Sequence, residues 1–206
     1  MSFEHEAGLI QRPSRFIQEK GESHVRLVAT EYVSLDGVFE EPGEWSRPYF
    51  NEEAASFKFK ERQATDALLL GRKTYEGFAA AWPTMEGTGE FGEKMNSMPK
   101  YVVSSTLEEA DWTGSILVKG DLATEIGKLK DTPGKDLLLS GSGRLLKGLR
   151  QANLIDLYRF MLHPIVLGKG ARLFADGGDQ TSLELTNQEV FDSGIVILEY
   201  RLAEES

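Results

Sequence analysis

The 206-residue chain has no cysteine. That excludes a disulfide framework, a thiol nucleophile and a Cys-ligated metal site, and it fits a reducing cytoplasm, where we expect the protein. Histidine is nearly as scarce, and His5, His24 and His163 share no metal-ligand spacing. No apolar run approaches the roughly 18 residues of a membrane span. The start, MSFEHEAGLI, lacks both the basic beginning and the apolar centre of a signal peptide. Positive charge is short as well: 23 Lys and Arg stand against 33 Asp and Glu, a formal net charge of −10. Such a field repels nucleic acid. It repels an anionic small molecule too, so a phosphate site here must be locally basic or built from backbone amides. Neither a GxxxxGK[ST] phosphate loop nor a GxSxG nucleophile elbow occurs.

What is present is an ordinary soluble balance, 40 % hydrophobic and 27 % charged, at a length that suits one domain. Residues 1–23 are polar and aperiodic, an N-terminal extension that is either a flexible arm or a short helix. From His24 to residue 206 the pattern is that of a folded domain. VRLVATEYV reads as the first strand, closed by the turn Ser34-Leu35-Asp36-Gly37. After a loop at EEPGEWSRP, Asn51 opens a helix with Phe50, Ala54, Phe57 and Ala64 on its apolar face. ALLLG, YVVSS, SILVKG and LLLS read as further strands; RKTYEGFAAAW, the stretch capped by Asp121, and RLLKGLRQA read as helices. Residues 83–99, with two prolines and three glycines, read as loop. Beyond Asn153 only strands are convincing. The expected fold is α/β: a mixed, mostly parallel sheet flanked by helices, with an antiparallel C-terminal section.

Two stretches carry the chemistry. In LLLSGSGRLL, Ser140 to Arg144 is a nearly bare turn from strand to helix. Its free amides at the positive end of a helix dipole, with Arg144 beside them, suit a phosphate; a tight turn needing glycine only for its dihedrals suits the same residues. In LLLGRKTYE, Gly71 ends a strand and Arg72, Lys73 and Thr74 open a helix. Cations there oppose the dipole unless an anion sits among them. Together the two junctions favour a dinucleotide, with the hydroxyls of Ser104 and Ser105 at a third strand end. The literal GxGxxG at Gly87, Gly89 and Gly92 follows no strand and is set aside. Asp36 is either a turn former or a carboxylate beside a cofactor ring; Glu52 and Glu53 are weaker candidates. Trp45 and Trp82 line a pocket or simply pack.

The ordered motifs ATEYVSLDG, LLLGRKTYE, YVVSS, LLLSGSGRLLKGL and HPIVLGKGARLF resemble the dihydrofolate-reductase-like superfamily, nearest its branch related to the C-terminal reductase domain of the riboflavin-biosynthesis enzyme RibD. The resemblance spans about residues 25–202. It implies a dihydrofolate-reductase-like fold with an antiparallel C-terminal hairpin, binding NADPH. By that resemblance Gly71, Arg72, Lys73 and Thr74 hold the 2′-phosphate side with Ser104 and Ser105, and Gly141, Ser142, Gly143 and Arg144 cradle the pyrophosphate. Ala29 then lies near the nicotinamide, with Gly37 in the loop closing over it. The acidic residue with which folate reductases bind the pterin is not matched: its position falls near Ala55. SLDG and LGKG fit the RibD-like branch better, although RibD's zinc-bearing deaminase half has no counterpart in this sequence.

The resulting expectation is an NADPH-dependent oxidoreductase of a small polar heterocycle, pterin- or aminopyrimidine-like. Asp36, or a water it orients, serves the proton transfer, and no metal takes part. The resemblance also implies a homodimer. The rival reading is a non-catalytic nucleotide-binding or scaffolding protein that keeps the fold.

Overall fold

The computed structural model describes residues 24–174 and 180–203; the N-terminal extension proposed for residues 1–23 lies outside the described residues. The chain opens with β1 (Leu27–Ser34), the short α1 (Pro42–Trp45) and α2 (Glu52–Gln63). Then come β2 (Thr65–Gly71), α3 (Arg72–Ala81), α4 (Gly89–Ser97), β3 (Lys100–Val103) and β4 (Ser115–Val118). The chain returns through α5 (Leu122–Lys130), β5 (Asp136–Leu139), α6 (Gly143–Gln151) and β6 (Leu157–His163), and ends with β7 (Leu183–Val190) and β8 (Val196–Leu202). One eight-stranded sheet results, in the order β4-β3-β2-β5-β1-β6-β8-β7. Its first six strands are parallel, and β8 runs antiparallel to both β6 and β7. This is the mixed, mostly parallel sheet expected, with its antiparallel hairpin.

The leucine runs lie where both sheet faces are covered. Leu69 and Leu139 face α5 and α6 together with Leu27 and Ala29. Leu68, Leu70 and Leu138 face α3 and α4 together with Val28. Continuous apolar strands are what helices on both faces require, and each fully buried leucine contributes about 1.5–3 kcal/mol. A third cluster joins Ala54 of α2 to Met161, Phe191, Ile195 and Ile197.

Three expectations need correction. Residues 83–99 are not a loop, for Gly89–Ser97 is helical. Phe91 and Met95, one turn apart, pack on the α3 side of the core, and that burial outweighs the low helix propensity of glycine. Gly92 also lets the Thr88 side chain close against the helix. The loop 40–48 likewise contains a turn of helix at Pro42–Trp45.

The buried face of α2 is not the apolar one expected, because it holds Lys58, Glu61 and Arg62 alongside Ala54; Phe50 is exposed. Glu61 accepts from Thr30 Oγ1 at 2.8 Å and from Arg159 at 3.0 Å, and is ion-paired with Lys58. Arg159 continues to Glu199 at 2.6 Å. Burial alone would raise the Glu61 pKa, but Lys58 and Arg159 outweigh it and hold the carboxyl at about 2. Charge pairing, which hydrophobic periodicity does not see, therefore docks α2.

Asn51 caps α2 by accepting from Ala54 N at 3.0 Å, and Asp121 caps α5 by accepting from Thr124 N at 2.9 Å. His163 is fully buried. It stacks on Tyr32 at 5.3 Å and meets the edge of Trp45 at 5.2 Å, so Trp45 pins its segment to the end of β6. Trp82 packs between Phe78 and Phe91.

Candidate active site

Parallel strands place their carboxyl ends on one edge of the sheet, and a cleft opens there where successive connections diverge. In this chain β1 leads outward to β2, β3 and β4 before β5 returns to fill the gap between β2 and β1. A cavity of about 940 Å³ lies along that edge. It is lined by Gly71 at the end of β2, Ser104 and Ser105 beyond β3, Lys119 and Gly120 beyond β4, and Ser142 to Leu146 entering α6.

The two glycine junctions interlock. Gly71 N donates to the carbonyl oxygen of Gly141 at 3.3 Å. A Cβ on Gly71 would stand 2.5 Å from Ser142 Oγ, and one on Gly141, whose φ is +72°, would stand 2.7 Å from Thr74 Oγ1. A side chain at either glycine would push the junctions apart. Gly143 has a similar reason: its Cβ would stand 2.6 Å from the Phe39 ring.

The cavity is locally basic, as an anion site in an acidic protein must be. Arg72, Lys73, Lys119, Arg144, Lys147, Arg150 and Arg172 line it, with Glu40 the sole carboxylate of the lining among the described residues. Arg72 also reaches Glu76 at 3.0 Å on its own helix. The helices that begin at the cavity, α3 and α6, have no side-chain cap, unlike α2 and α5. Their first amides are left for another acceptor.

Eight candidates thus line one cavity: Gly71, Arg72, Lys73, Ser104, Ser105, Ser142, Gly143 and Arg144. Gly141 and Thr74 stand behind it as packing partners. Ser104 Oγ accepts from Leu107 N at 2.9 Å and Thr106 N at 3.2 Å, so it shapes the turn after β3. Ala29 is fully buried at the last β1 position paired with β5.

Asp36 and Gly37 line a second cavity, of about 380 Å³, walled by Val33, Phe160, Leu162, Phe174 and Tyr200. The two cavities share Arg172, Leu173 and Phe174. The Asp36 carboxylate is occupied: it accepts from Ser34 Oγ at 2.7 Å, Leu167 N at 3.1 Å and Gly168 N at 2.8 Å. Those bonds, the one from Ser34 foremost, hold its pKa down at about 2. Glu53 accepts from Asp192 N at 2.8 Å and fastens the β7–β8 turn. Sequence reasoning missed Phe39, Arg172 and the two cations, Lys147 and Arg150, that extend Arg144 into a ridge along α6. The three-residue spacing along α6 was the available signal for that ridge.

This geometry meets its counterparts in known proteins. The sequence profile of the RibD C-terminal domain matches residues 25–197. The chain belongs to the RibD C-terminal domain family. Within reach of that family lies the uncharacterized protein YyaP of Bacillus subtilis, 31 % identical over 179 residues, which are 85 % of this chain and 94 % of that one. A Shewanella sp. PV-4 protein named for riboflavin biosynthesis shares the RibD-type fold at TM-score 0.70 and 21 % identity, over 87 % of this chain and 100 % of the other. Dihydrofolate reductase from Enterococcus faecalis, complexed with NADP(H), superposes at TM-score 0.59 and 16 % identity, over 87 % of this chain and 97 % of that one. The RibD-type sheet, with its dihydrofolate-reductase-like neighbours, is the fold the sequence motifs implied.

Proposed function

We propose that the chain is an NADPH-dependent reductase of a small polar heterocycle, pterin- or aminopyrimidine-like. The observation that carries this reading is the interlocking of Gly71 and Gly141 above one cation-lined cleft. The residues fit a dinucleotide: glycines where a Cβ would close the cradle, two uncapped helix starts, and cations from four separate segments. Family membership and the NADP(H)-bound dihydrofolate reductase neighbour support it.

In this reading Arg72 and Lys73 hold the 2′-phosphate side with Ser104 and Ser105, and Thr74 supports them from behind by packing on Gly141. The amides of Ser142 and Gly143, with Arg144, hold the diphosphate. Ala29, where β5 parts from β1, faces the nicotinamide end. When bound, the cofactor supplies the hydride from its C4. The chain's part is to fix the two reactants in register and keep bulk water away. Asp36, which carries no proton near neutrality, acts as an acceptor: it ties the SLDG turn to Leu167 and Gly168 and orients water beside Gly37. Arg172 and Phe174, common to both cavities, form the border between cofactor and substrate ends.

Nicotinamide fluorescence during titration with NADPH and NADH tests the reading. NADPH is expected to bind more tightly, and Arg72→Ala to abolish that preference. Failure to bind either nucleotide would refute it. Binding without NADPH consumption on a panel of pterins and aminopyrimidines would favour the non-catalytic alternative. We further infer a homodimer, in which the exposed Leu185 and Val190 of the edge strand β7 are covered; a sedimentation mass of one 22.9 kDa chain would exclude it.

A further inference from the structure

Glu31 sits inside the sheet, in the middle of β1, with 7 % of its surface exposed. Its Oε1 accepts the amide hydrogen of Gly141 at 2.8 Å. Gly141 precedes the residue that opens α6, and its carbonyl oxygen accepts from Gly71. One glycine thus links this carboxyl to both cleft junctions.

The strand pairing explains why the side chain reaches it. β5 follows β1 only as far as Ala29↔Leu139, whereas β6 follows it to Ser34. Glu31 lies two residues past the parting, on the same face as Ala29 and Val33. Its β6 partner is Phe160, and Phe160 and Val33 both line the aromatic cavity. The carboxyl therefore stands between that cavity and the basic cleft.

An ionised carboxylate behind the turn would set a negative charge against the anion the turn receives. The neutral acid still accepts the Gly141 amide through its carbonyl oxygen and sets no such charge. Burial moves this group toward the neutral form, to a pKa of about 8. The Gly141 bond and Lys58 offset part of that rise, and Glu61 adds to it. Lys58 and Glu61 both reach it from α2, and its neighbours Phe160 and Gly141 bring no charge.

We propose that Glu31 is a positioning residue of the dinucleotide cleft: protonated, it holds the Gly141–Ser142 turn ready for an anion, and ionised, it opposes the anion there. The inference rests on the NADPH reading above and makes cofactor affinity depend on one proton.

The test is an NADPH titration of the wild type and Glu31→Gln from pH 6.5 to 9. Glutamine keeps an acceptor for Gly141 and cannot ionise. Wild-type affinity is expected to fall about tenfold, the loss linkage assigns to a group titrating near 8, while Glu31→Gln changes less than about twofold. Lys73, Lys119 and Lys147 remain in both proteins, and the cofactor 2′-phosphate is past its second pKa of about 6 throughout, so the difference isolates Glu31. Calorimetry in two buffers of different ionisation enthalpy gives a second readout. The wild type should take up close to one proton per NADPH at pH 9, and Glu31→Gln none. Glu31→Ala, lacking the acceptor, should bind weakly at every pH. Parallel pH profiles or no proton uptake would overturn the inference and leave the NADPH reading standing. Failure of wild type and Glu31→Gln to bind NADPH at pH 6.5 would overturn the reading, and the inference with it.

Discussion

Gly71 and Gly141, seventy residues apart in the chain, share a backbone hydrogen bond of 3.3 Å. The bond joins the ends of β2 and β5 just where each strand turns into a helix. It makes two separate motifs into one concave surface.

Gly71→Ala should drive these junctions apart. The new methyl would stand 2.5 Å from Ser142 Oγ and 3.2 Å from Ser142 N. Overpacking of this kind costs about 1–3 kcal/mol, read by urea unfolding. NADPH affinity should fall by about tenfold, the equivalent of about 1.4 kcal/mol. Adding Ser142→Gly, which removes the Oγ, should recover part of both losses; no recovery would mean the contact is not the cause.

Reversing one cation on the α6 ridge should matter more than its exposure suggests. Lys147→Glu puts a negative charge in a lining that holds seven cations. NADPH binding should weaken and its salt dependence flatten, since fewer favourable charge contacts remain to be screened. The slope of affinity against ionic strength checks this; an unchanged slope would place the ligand elsewhere.

Glu61→Ala should be among the most damaging changes outside the cleft. It leaves Lys58 and Arg159 buried without their shared partner, and breaking a buried pair in this way typically costs about 3–5 kcal/mol. The acid limb of stability should change as well. The Glu61 pKa is depressed to about 2, so its contribution is present above the ordinary carboxylate range and lost as pH falls through 2. The stability gap between wild type and Glu61→Gln, followed by denaturant titration, should therefore narrow between about pH 4.5 and 2.

Asp36→Asn tests the turn clamp. The neutral amide is a weaker acceptor for Leu167 N and Gly168 N than the carboxylate it replaces. Proteolysis between residues 165 and 173 should accelerate at neutral pH. Because the Asp36 pKa is also lowered to about 2, that contrast with the wild type should fade below pH 4 and be lost as pH falls through 2. An unaltered cleavage rate at neutrality would remove the clamp from the account.

Local pattern made much of this molecule legible. The leucine runs at 68–70 and 137–139, uninterrupted by polar residues, require strands covered on both faces. The caps at Asn51 and Asp121 and the turn at Asp36-Gly37 follow from short-range hydrogen bonding. Gly71-Arg72 and Gly143-Arg144 announce a phosphate-type junction because glycine and cation lie next to each other in the chain. Residues 89–97 were misread for the same reason: their glycines are local, whereas the burial of Phe91 and Met95 that overrides them is not.

Sequence alone determined the strand–helix alternation, the acidic net charge and the need for a locally basic site, since composition and neighbouring residues suffice for each. Only the tertiary structure decided that the two junctions meet, that α2 docks through Glu61 with Lys58 and Arg159, and that Glu31 reaches Gly141. Each of these depends on residues brought together across the sheet by strand order, and strand order is set by the packing of the whole domain rather than by any one segment.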